Sequence, residues 1–397
     1  MALDIFITGL GIVSGIGVGI EETATSLRHK KSGIGKIKYL NTIHDLPCAE
    51  VNLSETQMKQ MLGIKECENV NRTALMAMLA TREAIAQAKL PLDGTYKLAF
   101  INGTTVGGME KSELYYFDFL ANDTRNEYIE GHDCGACTEK IADFFGGFSY
   151  VSTPSTACSS AANAFILGAN LIETGIVDIA IVGGSECITK FHLNGFKTLL
   201  ILDSEPCRPF DQTRAGLNLG EGAAFLVLES KKVMDERKAK PLCKLSGYGN
   251  ACDAFHQTAS SPDGQGAYLA MNAAIKMSEL QPVDIDYINA HGTGTPNNDE
   301  SESQAILRVF GSNPPKVSST KAYTGHTTSA SGSIEAVISI IAMQQNFIPA
   351  NLNFKQQMEN IPFTPVLDVI ENMNLQHILS NSFGFGGNNT SLVFSKI

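Results

Sequence analysis

Apolar and polar residues alternate along this chain in two ways. Short, nearly uninterrupted apolar runs, such as residues 97–101 and 178–184, have the length and composition of buried strands. Longer stretches of small and apolar residues, at 161–173 and 331–344, predict helices with little polar surface. Strand-like runs that alternate with helices predict a layered α/β fold.

The pattern occurs twice. Four pairs of segments match, namely 6–11 with 244–249, 97–101 with 285–290, 151–153 with 317–320, and 178–184 with 390–394. The charged stretch at 231–241 resembles an exposed helix and connector, so we place a boundary there between halves 1–240 and 241–397. Reactive groups at corresponding turns of the two halves predict a single site at their junction.

Composition narrows the possible functions. With 397 residues the chain can form two average domains or one duplicated unit, and its net charge of -11 argues against a nucleic-acid-binding surface. The apolar stretch 5–20 lacks a basic flank, contains five glycines and is short for a membrane span, so we interpret it as a strand and a glycine-rich loop. Nine cysteines without a secretory segment indicate reduced thiols, and we expect a cytoplasmic protein.

Two short motifs invite a cofactor or metal interpretation and do not support it. Cys134 and Cys137 form a C-x-x-C pair, but no second pair exists to complete a zinc site. The run from Gly9 through Gly11 to Ser14 lacks the third glycine of a dinucleotide-binding loop. We therefore expect neither a metal nor a bound cofactor.

The strongest chemical candidate is Cys158, which directly precedes the predicted helix 161–173. Unpaired N–H groups and the positive end of the dipole at a helix start favour the thiolate, so we expect a nucleophile. His291 and His326 each lie in a turn of glycine and threonine residues. One cysteine with two such histidines suggests a site that handles thioesters.

The wider set of motifs identifies a family resemblance. The motifs are Thr156-Ala157-Cys158-Ser159-Ser160, Gly183-Gly184-Ser185-Glu186, Arg208-Pro209-Phe210-Asp211, Leu219-Gly220-Glu221-Gly222-Ala223, His291-Gly292-Thr293-Gly294-Thr295, Ser319-Thr320-Lys321, Thr324-Gly325-His326 and Asn381-Ser382-Phe383-Gly384-Phe385-Gly386-Gly387. In this order they make the whole chain resemble a β-ketoacyl-[acyl-carrier-protein] synthase of the type II elongating class. The resemblance implies a thiolase-like duplicated αβαβα fold with two mixed five-stranded sheets.

The resemblance also implies a reaction, the decarboxylative Claisen condensation of malonyl-carrier with an acyl group held on Cys158. The backbone N–H groups of Cys158 and Phe385 would hold the oxyanion, and Phe385 would also act as a gate between the acyl and malonyl steps. His291 and His326, both neutral, would donate hydrogen bonds to the enolate that forms when CO2 leaves.

Further roles follow from the same comparison. Lys321 and Glu335 match a family pair, which we interpret as a buried ion pair that orients His326. Asp299 and Glu302 are expected to brace the loop that contains His291 rather than to take part in the chemistry.

Four residues are assigned to substrate binding. Thr293 and Thr295 match threonines that bind the pantetheine arm of the carrier, while Val106 and Phe383 are assigned to the acyl pocket. We expect Val106→Phe to shorten the longest acyl group that the enzyme accepts. The expected partners are an acyl carrier protein and a second subunit, most simply in a homodimer, although a heterodimer with a related subunit is possible.

Some positions depart from the family. The segment 65–69 is not basic, which argues against docking of an acidic carrier there and leaves Lys59, Lys65 and Arg72 no more than candidates. Residues 197–200 replace a run of small residues. These differences suggest a specialised synthase of an aryl polyene, pigment or polyketide pathway as the alternative to fatty acid or related chain elongation.

Two other functions fit less well. A non-catalytic chain-length-factor subunit would usually lack the nucleophile, which is present here as Cys158. A thiolase needs a second catalytic cysteine near the C-terminus, whereas no cysteine follows Cys252.

Overall fold

The computed structural model describes residues 4–122 and 126–397. The strands are β1 (Ile5–Ser14), β2 (Gly17–Val18), β3 (Leu98–Gly103), β4 (Phe148–Ser152), β5 (Ile179–Glu186), β6 (Gly222–Ser230), β7 (Cys243–Cys252), β8 (Tyr287–Asn289), β9 (Lys316–Ser318), β10 (Phe347–Ile348), β11 (Ile370–Glu371), β12 (His377–Phe383) and β13 (Asn388–Ser395). The helices are α1 (Ile20–Arg28), α2 (Glu55–Leu62), α3 (Arg72–Ala88), α4 (Met109–Asn122), α5 (Asn126–Glu130), α6 (Cys134–Phe145), α7 (Ser160–Glu173), α8 (Lys190–Thr198), α9 (Lys231–Arg237), α10 (Gln265–Met277), α11 (Pro296–Phe310), α12 (Lys321–Thr324) and α13 (Ser331–Gln345).

The main sheet contains the same five-stranded arrangement twice. The first half has the order β4-β3-β5-β6-β1 and the second half the order β9-β8-β12-β13-β7. In both halves the first three strands of that order run parallel and the last two pair antiparallel. A short antiparallel pairing of Ile5–Ile7 with residues 243–245 joins the two sets edge to edge. The predicted pair of mixed five-stranded sheets is therefore present, connected into one continuous sheet.

The equivalences between the halves agree with three of the four predicted segment pairs. The exception is the predicted match of 178–184 with 390–394, which is wrong, since β5 corresponds to β12 and β13 corresponds to β6. The hydrophobic pattern missed β12 because that strand carries buried polar residues, among them Asn381, whose amide donates to Glu302. The first strand set ends at Ser230 and the second starts at Cys243, on either side of the boundary predicted at 240/241.

Helices cover both faces of each strand set. Helices α7 and α13 pack together in the middle, where Phe165 and Ile338 belong to the largest apolar cluster. Helix α3 covers the outer face of the first set, and α10 covers that of the second. Glycines allow this approach in both halves, because a Cβ at Gly11 would lie 1.9 Å from Ala80 O and one at Gly249 2.2 Å from Ala270 O. The result is the αβαβα layering that the resemblance implies.

The two central helices begin in the same unusual way. A 3-10 turn at Ala157–Ser159 precedes α7, and one at Thr328–Ala330 precedes α13. The first residue of each turn has a left-handed backbone, with φ of 52° at Ala157 and 45° at Thr328. This equivalence aligns Cys158 with Ser329. Among the described residues, no helix combines the length and apolar character needed to cross a membrane.

Candidate active site

The predicted nucleophile lies at the junction of the two halves. Cys158 is buried, with 5% of its surface exposed, and its Sγ lies 3.1 Å from Nε2 of His326. A thiol and an imidazole at this distance can exchange a proton directly.

The pKa of the Cys158 thiol is raised, whereas the position at a helix start predicted a lowered value. Burial raises the pKa of Cys158 to about 11, although the positive charge of Lys321 and the backbone N–H of Phe385 act in the opposite direction. The sequence shows a helix start but not the depth at which the sulfur lies. The resting group near pH 7 is therefore the thiol.

Two contacts fix the His326 ring. Its Nδ1 lies 3.0 Å from the hydroxyl oxygen of Ser331, the first residue of α13, and its backbone N–H donates to Asn218 O at 2.7 Å. A serine hydroxyl can donate or accept a hydrogen bond. Ser331 can therefore support the imidazole both when Nε2 accepts a proton from Cys158 and when Nε2 later donates one.

The lysine of the ion pair contacts the other histidine, His291. Lys321 Nζ lies 3.2 Å from Nδ1 of His291 and also donates to Glu335 Oε1. The prediction that this pair orients His326 is thus wrong, because the sequence separation of five residues does not show which ring the ammonium faces. An ammonium group only donates, so Nδ1 of His291 accepts and Nε2 carries the proton.

Both imidazoles are neutral near neutral pH. Burial first, and then the charge of Lys321, lower the pKa of His291 and of His326 well below the usual value. The ring centroids lie 5.3 Å apart with planes at 84°. Two neutral donors at this spacing can bind one oxygen atom between them.

Buried carboxylates hold the His291 loop. Glu302 accepts hydrogen bonds from the backbone N–H groups of His291 at 2.9 Å and of Gly292 at 2.7 Å. Burial raises the pKa of Glu302 to about 7. Asp299 accepts the N–H groups of Gly294 and Phe210. Both residues lie where bracing was predicted.

A cavity of about 280 Å³ opens onto the cysteine and both histidines. Its wall includes the predicted binding residues Thr293, Thr295 and Phe383. The two threonine hydroxyls lie 2.9 Å apart, and that of Thr295 also caps α11. The Phe383 ring packs against the ring of His291 at 5.8 Å.

The loop after β12 faces the nucleophile. A Cβ on Gly384 would lie 3.2 Å from the backbone nitrogen of Cys158, so glycine keeps the space in front of this N–H open. Phe385 also lines the cavity, and its ring stacks on Phe196 of α8 with centroids 5.7 Å apart. The arrangement suits a pair of backbone donors for an oxyanion.

Val106 lies apart from the cavity lining. It is buried in the apolar cluster under α3, and its N–H donates to Glu186 at 3.0 Å. Its assignment to the acyl pocket remains a prediction.

Glu186 is a residue whose role the sequence did not reveal, although its motif was recognised. The side chain is fully buried and accepts hydrogen bonds from both halves of the chain. The donors are Thr104 Oγ1, Thr105 N, Thr105 Oγ1, Val106 N, Thr328 Oγ1 and Ser329 Oγ. Glu186 thereby fixes the turn between His326 and α13.

A second missed group connects the nucleophile turn to the end of the Phe385 loop. Asn388 Oδ1 accepts hydrogen bonds from Ser159 Oγ at 2.7 Å, from Asn163 Nδ2 at 2.9 Å and from Asn250 Nδ2 at 2.9 Å. Because these residues are far apart in the sequence, no local motif marks them.

Two of the three candidate docking residues are buried. Lys59 donates to the carbonyl oxygens of Glu66 and Glu68, and Arg72 forms a buried ion pair with Glu221. These two candidates are therefore not available to a carrier, whereas Lys65 is exposed. The sequence cannot show which basic side chains already have an internal partner.

The C-x-x-C pair is not bonded. Cys134 and Cys137 are free thiols, and burial raises their pKa values to about 11 and about 12. Among residues 4–122 and 126–397, no three histidine, cysteine or acidic side chains form a group that could hold a metal ion.

Comparison with known proteins gives a consistent result along the whole chain. Residues 2–233 match the family described as beta-ketoacyl synthase, N-terminal domain, and residues 242–355 match beta-ketoacyl synthase, C-terminal domain. The chain is 32% identical to the 3-oxoacyl-[acyl-carrier-protein] synthase 2 of Synechocystis sp., over 99% of this chain and 98% of the relative. It is 30% identical, with the same coverage, to the protein of that name from Staphylococcus aureus strain MRSA252. A solved structure described as the ishigamide ketosynthase/chain length factor superposes with a TM-score of 0.93 at 29% identity and covers 100% of both chains.

Proposed function

Because the chain belongs to the β-ketoacyl synthase family, we propose that its Cys158, His291 and His326 carry out the decarboxylative condensation of a carrier-bound acyl group with a carrier-bound malonyl group. The chain is a condensing acyltransferase, as its relatives named 3-oxoacyl-[acyl-carrier-protein] synthase 2 are. The observation that carries the assignment of residues is the 3.1 Å contact between Cys158 Sγ and His326 Nε2.

The first step is acyl transfer. His326 Nε2 accepts the proton of the Cys158 thiol, the sulfur attacks the acyl thioester, and the proton passes to the departing pantetheine thiolate. The products are an acyl thioester on Cys158 and a free carrier thiol. The N–H groups of Cys158 and Phe385 bind the oxyanion that forms during the attack.

The second step is decarboxylation. Malonyl thioester loses CO2, and its remaining two carbons become an enolate whose oxygen accepts hydrogen bonds from Nε2 of His291 and of His326. The enolate carbon attacks the acyl carbonyl, the Cys158 thiolate leaves, and a proton from solvent reaches it through Nε2 of His326. Both steps consist of proton transfers, loss of CO2 and attack by an electron pair of sulfur or carbon. We therefore propose that no bound cofactor takes part.

The arrangement also guides the proposals about partners and location. An acyl carrier protein delivers both substrates in this scheme, and Thr293 and Thr295 bind its pantetheine arm. We propose a dimer, either of two copies or with a chain-length-factor subunit, since a structural relative is described as a ketosynthase/chain length factor. All nine cysteines are free, which supports a reducing compartment such as the cytoplasm.

That same relative favours a second possibility for the pathway. The ishigamide ketosynthase/chain length factor superposes with a TM-score of 0.93, and residues 197–200 depart from the family pattern. Both observations support a specialised synthase over one of primary fatty acid synthesis. A non-catalytic subunit is not favoured, since Cys158 and both histidines meet at one cavity.

The test is a reconstituted reaction with acyl-carrier and malonyl-carrier, followed by mass spectrometry of Cys158 and of the product. We expect an acylated Cys158 and a 3-oxoacyl product two carbons longer. Saturated and polyunsaturated acyl chains offered together separate the two pathways. Formation of product without an acylated Cys158 would contradict the proposal.

A further inference from the structure

The active-site cavity has a buried end and an exposed end. Cys158 and both histidines form the buried end, whereas the exposed lining residues include Leu199, Thr258 and Asn297. A carrier whose pantetheine arm reaches Cys158 must therefore cover the exposed end. None of the described residues that line the cavity is a lysine or an arginine.

Two arginines of the adjoining segment, Arg208 and Arg214, are already paired. Arg208 donates to Asp203 at 2.8 Å. Arg214 is mostly buried, lies near Asp299 and donates to the carbonyl oxygen of Pro296, a residue of the cavity rim. The positive charge of both is compensated within the chain, so neither presents a free cation to a carrier.

The rim instead exposes apolar side chains. Leu199 is 44% exposed and Leu200 87% exposed at the end of α8. Phe255 is 56% exposed in the loop whose residues 258–260 line the cavity. This loop binds the Phe385 loop through the hydrogen bond from Gly386 N to Gln257 O at 2.7 Å.

Leu200 breaks two local rules at once. It follows the last turn of α8 with a left-handed backbone of φ 58°, a position that favours glycine. The N–H of Leu200 bonds to Lys197 O and that of Ile201 to Phe196 O, which is the Schellman arrangement. A strained backbone that displays a large apolar side chain to water costs stability without a benefit in the isolated chain. A benefit is therefore expected from a partner.

We propose that Leu199, Leu200 and Phe255 form an apolar docking surface for the acyl carrier protein, in place of a basic one. The inference rests on the proposed function, because the reaction is what brings a carrier to this rim. The turn at Leu200 is closed by the hydrogen bond from Ile201 N to Phe196 O, and the Phe196 ring stacks on Phe385. The docked carrier would thus contact the same helix that supports the gate.

The decisive variant is Leu200→Gly, which removes the side chain and relieves the backbone strain. It should unfold at the same or a higher temperature than the parent, yet its KM for acyl-carrier should rise about tenfold. Acyl transfer from the free acyl-pantetheine thioester should change less than about twofold, since Leu200 does not line the cavity in which that substrate binds. Leu200→Glu should raise the carrier KM further without this gain in stability.

Matched controls separate the possible causes. Lys238→Gly changes another left-handed, exposed position at the end of α9, and should leave both substrates unaffected. Added NaCl should leave the carrier KM of the parent nearly constant, whereas basic docking would raise it steeply.

The outcomes are distinguishable. If the free thioester does not acylate the parent enzyme, the proposed function fails. If it does, and Leu200→Gly leaves the carrier KM unchanged, the docking surface is refuted. A change in sedimentation of Leu200→Glu from dimer to monomer would assign the apolar rim to a subunit interface and also overturn the proposal.

Discussion

Cys158 Sγ and His326 Nε2 lie 3.1 Å apart although 168 positions separate the two residues in the sequence. Each residue lies beside the start of a central helix, Cys158 before α7 and His326 before α13. The packing of these helices, one from each half, brings the two reactive atoms together. The proposed catalytic pair therefore depends on the interface between the halves.

Removal of the sulfur tests the nucleophile. We expect Cys158→Ala to abolish both acylation of the protein and formation of the 3-oxoacyl product, because no other thiol among the lining residues can hold the acyl group. Intact-protein mass spectrometry and product analysis provide the measurement. Cys134→Ala, at a half-buried thiol that does not line the cavity, serves as the control and should retain full activity. Condensation by Cys158→Ala at a near-parental rate would refute the assignment.

The proposed role of the two histidines predicts a pH dependence of decarboxylation. Since the pKa values of His291 and His326 are lowered well below 6.5, both stay neutral donors as the pH falls from 8 to 6. Protonation of the histidine rings should therefore not limit the rate of CO2 release over that range and should lower it only at more acidic pH. His291→Ala should reduce the rate on the order of 100-fold at every pH.

Lys321 contributes to that lowering through its charge. Lys321→Met should raise the pKa of both histidines, so the loss of activity on acidification should begin at a higher pH than in the parent. It should also lower the maximal rate, because the ammonium holds the proton of His291 on Nε2. Lys197→Met, at an exposed lysine, is the control, and an unchanged acidic limb in Lys321→Met would contradict the expected electrostatic role.

Glu186 is expected to support the site without contacting substrate. The amide of Glu186→Gln places a donor where the carboxylate accepts hydrogen bonds from six groups, so about 2 kcal/mol of unfolding free energy should be lost. Acylation of Cys158 should slow as the turn at Thr328 and Ser329 shifts. Chemical denaturation and single-turnover acylation measure the two effects.

The control for this change is Glu205→Gln at an exposed carboxylate, which should alter neither quantity. If Glu186→Gln loses stability while the acylation rate stays at the parental value, then Glu186 has no influence on the position of His326.

The space in front of the Cys158 N–H provides a steric test. In Gly384→Ala the new methyl group would lie 3.2 Å from that nitrogen and 3.0 Å from Thr156 O, where the oxyanion needs room. Condensation should slow about 100-fold, as after loss of an oxyanion donor. Gly195→Ala on α8 meets no atom within 4 Å and has an ordinary φ, so it should leave the rate unchanged. Equal activity of the two variants would argue against an oxyanion at this position.

Motifs and repeats in the sequence predicted the layered fold, the positions of Cys158, His291 and His326, and the bracing by Asp299 and Glu302. These features are local, since a turn or a helix start is defined by neighbouring residues. The assignment of Lys321 to the wrong histidine shows where local information ends. The direction of a long side chain depends on the surrounding packing. The sequence therefore does not give the distance from Lys321 Nζ to either histidine ring.

The other differences between the sequence-based predictions and the structure arise from burial and from contacts between distant segments. The thiol pKa of Cys158 is raised because the sulfur lies deep between two halves, and Lys59 and Arg72 are unavailable because they bond internally. The Asn388 group joins residues from three separate segments. Each of these properties arises from contacts between distant parts of the chain, which one sequence does not reveal.

Because Cys158 and Ser329 occupy equivalent positions in the two halves, the position of Ser329 provides an internal reference for the reactivity of Cys158. Both side chains follow a residue with a left-handed backbone at the start of a central helix, but only one of them faces a histidine. Ser329→Cys combined with Cys158→Ala would move the thiol to the sister position within the same molecule. The ratio of the two alkylation rates would then separate the reactivity that a strained helix start confers from the reactivity that its neighbours confer.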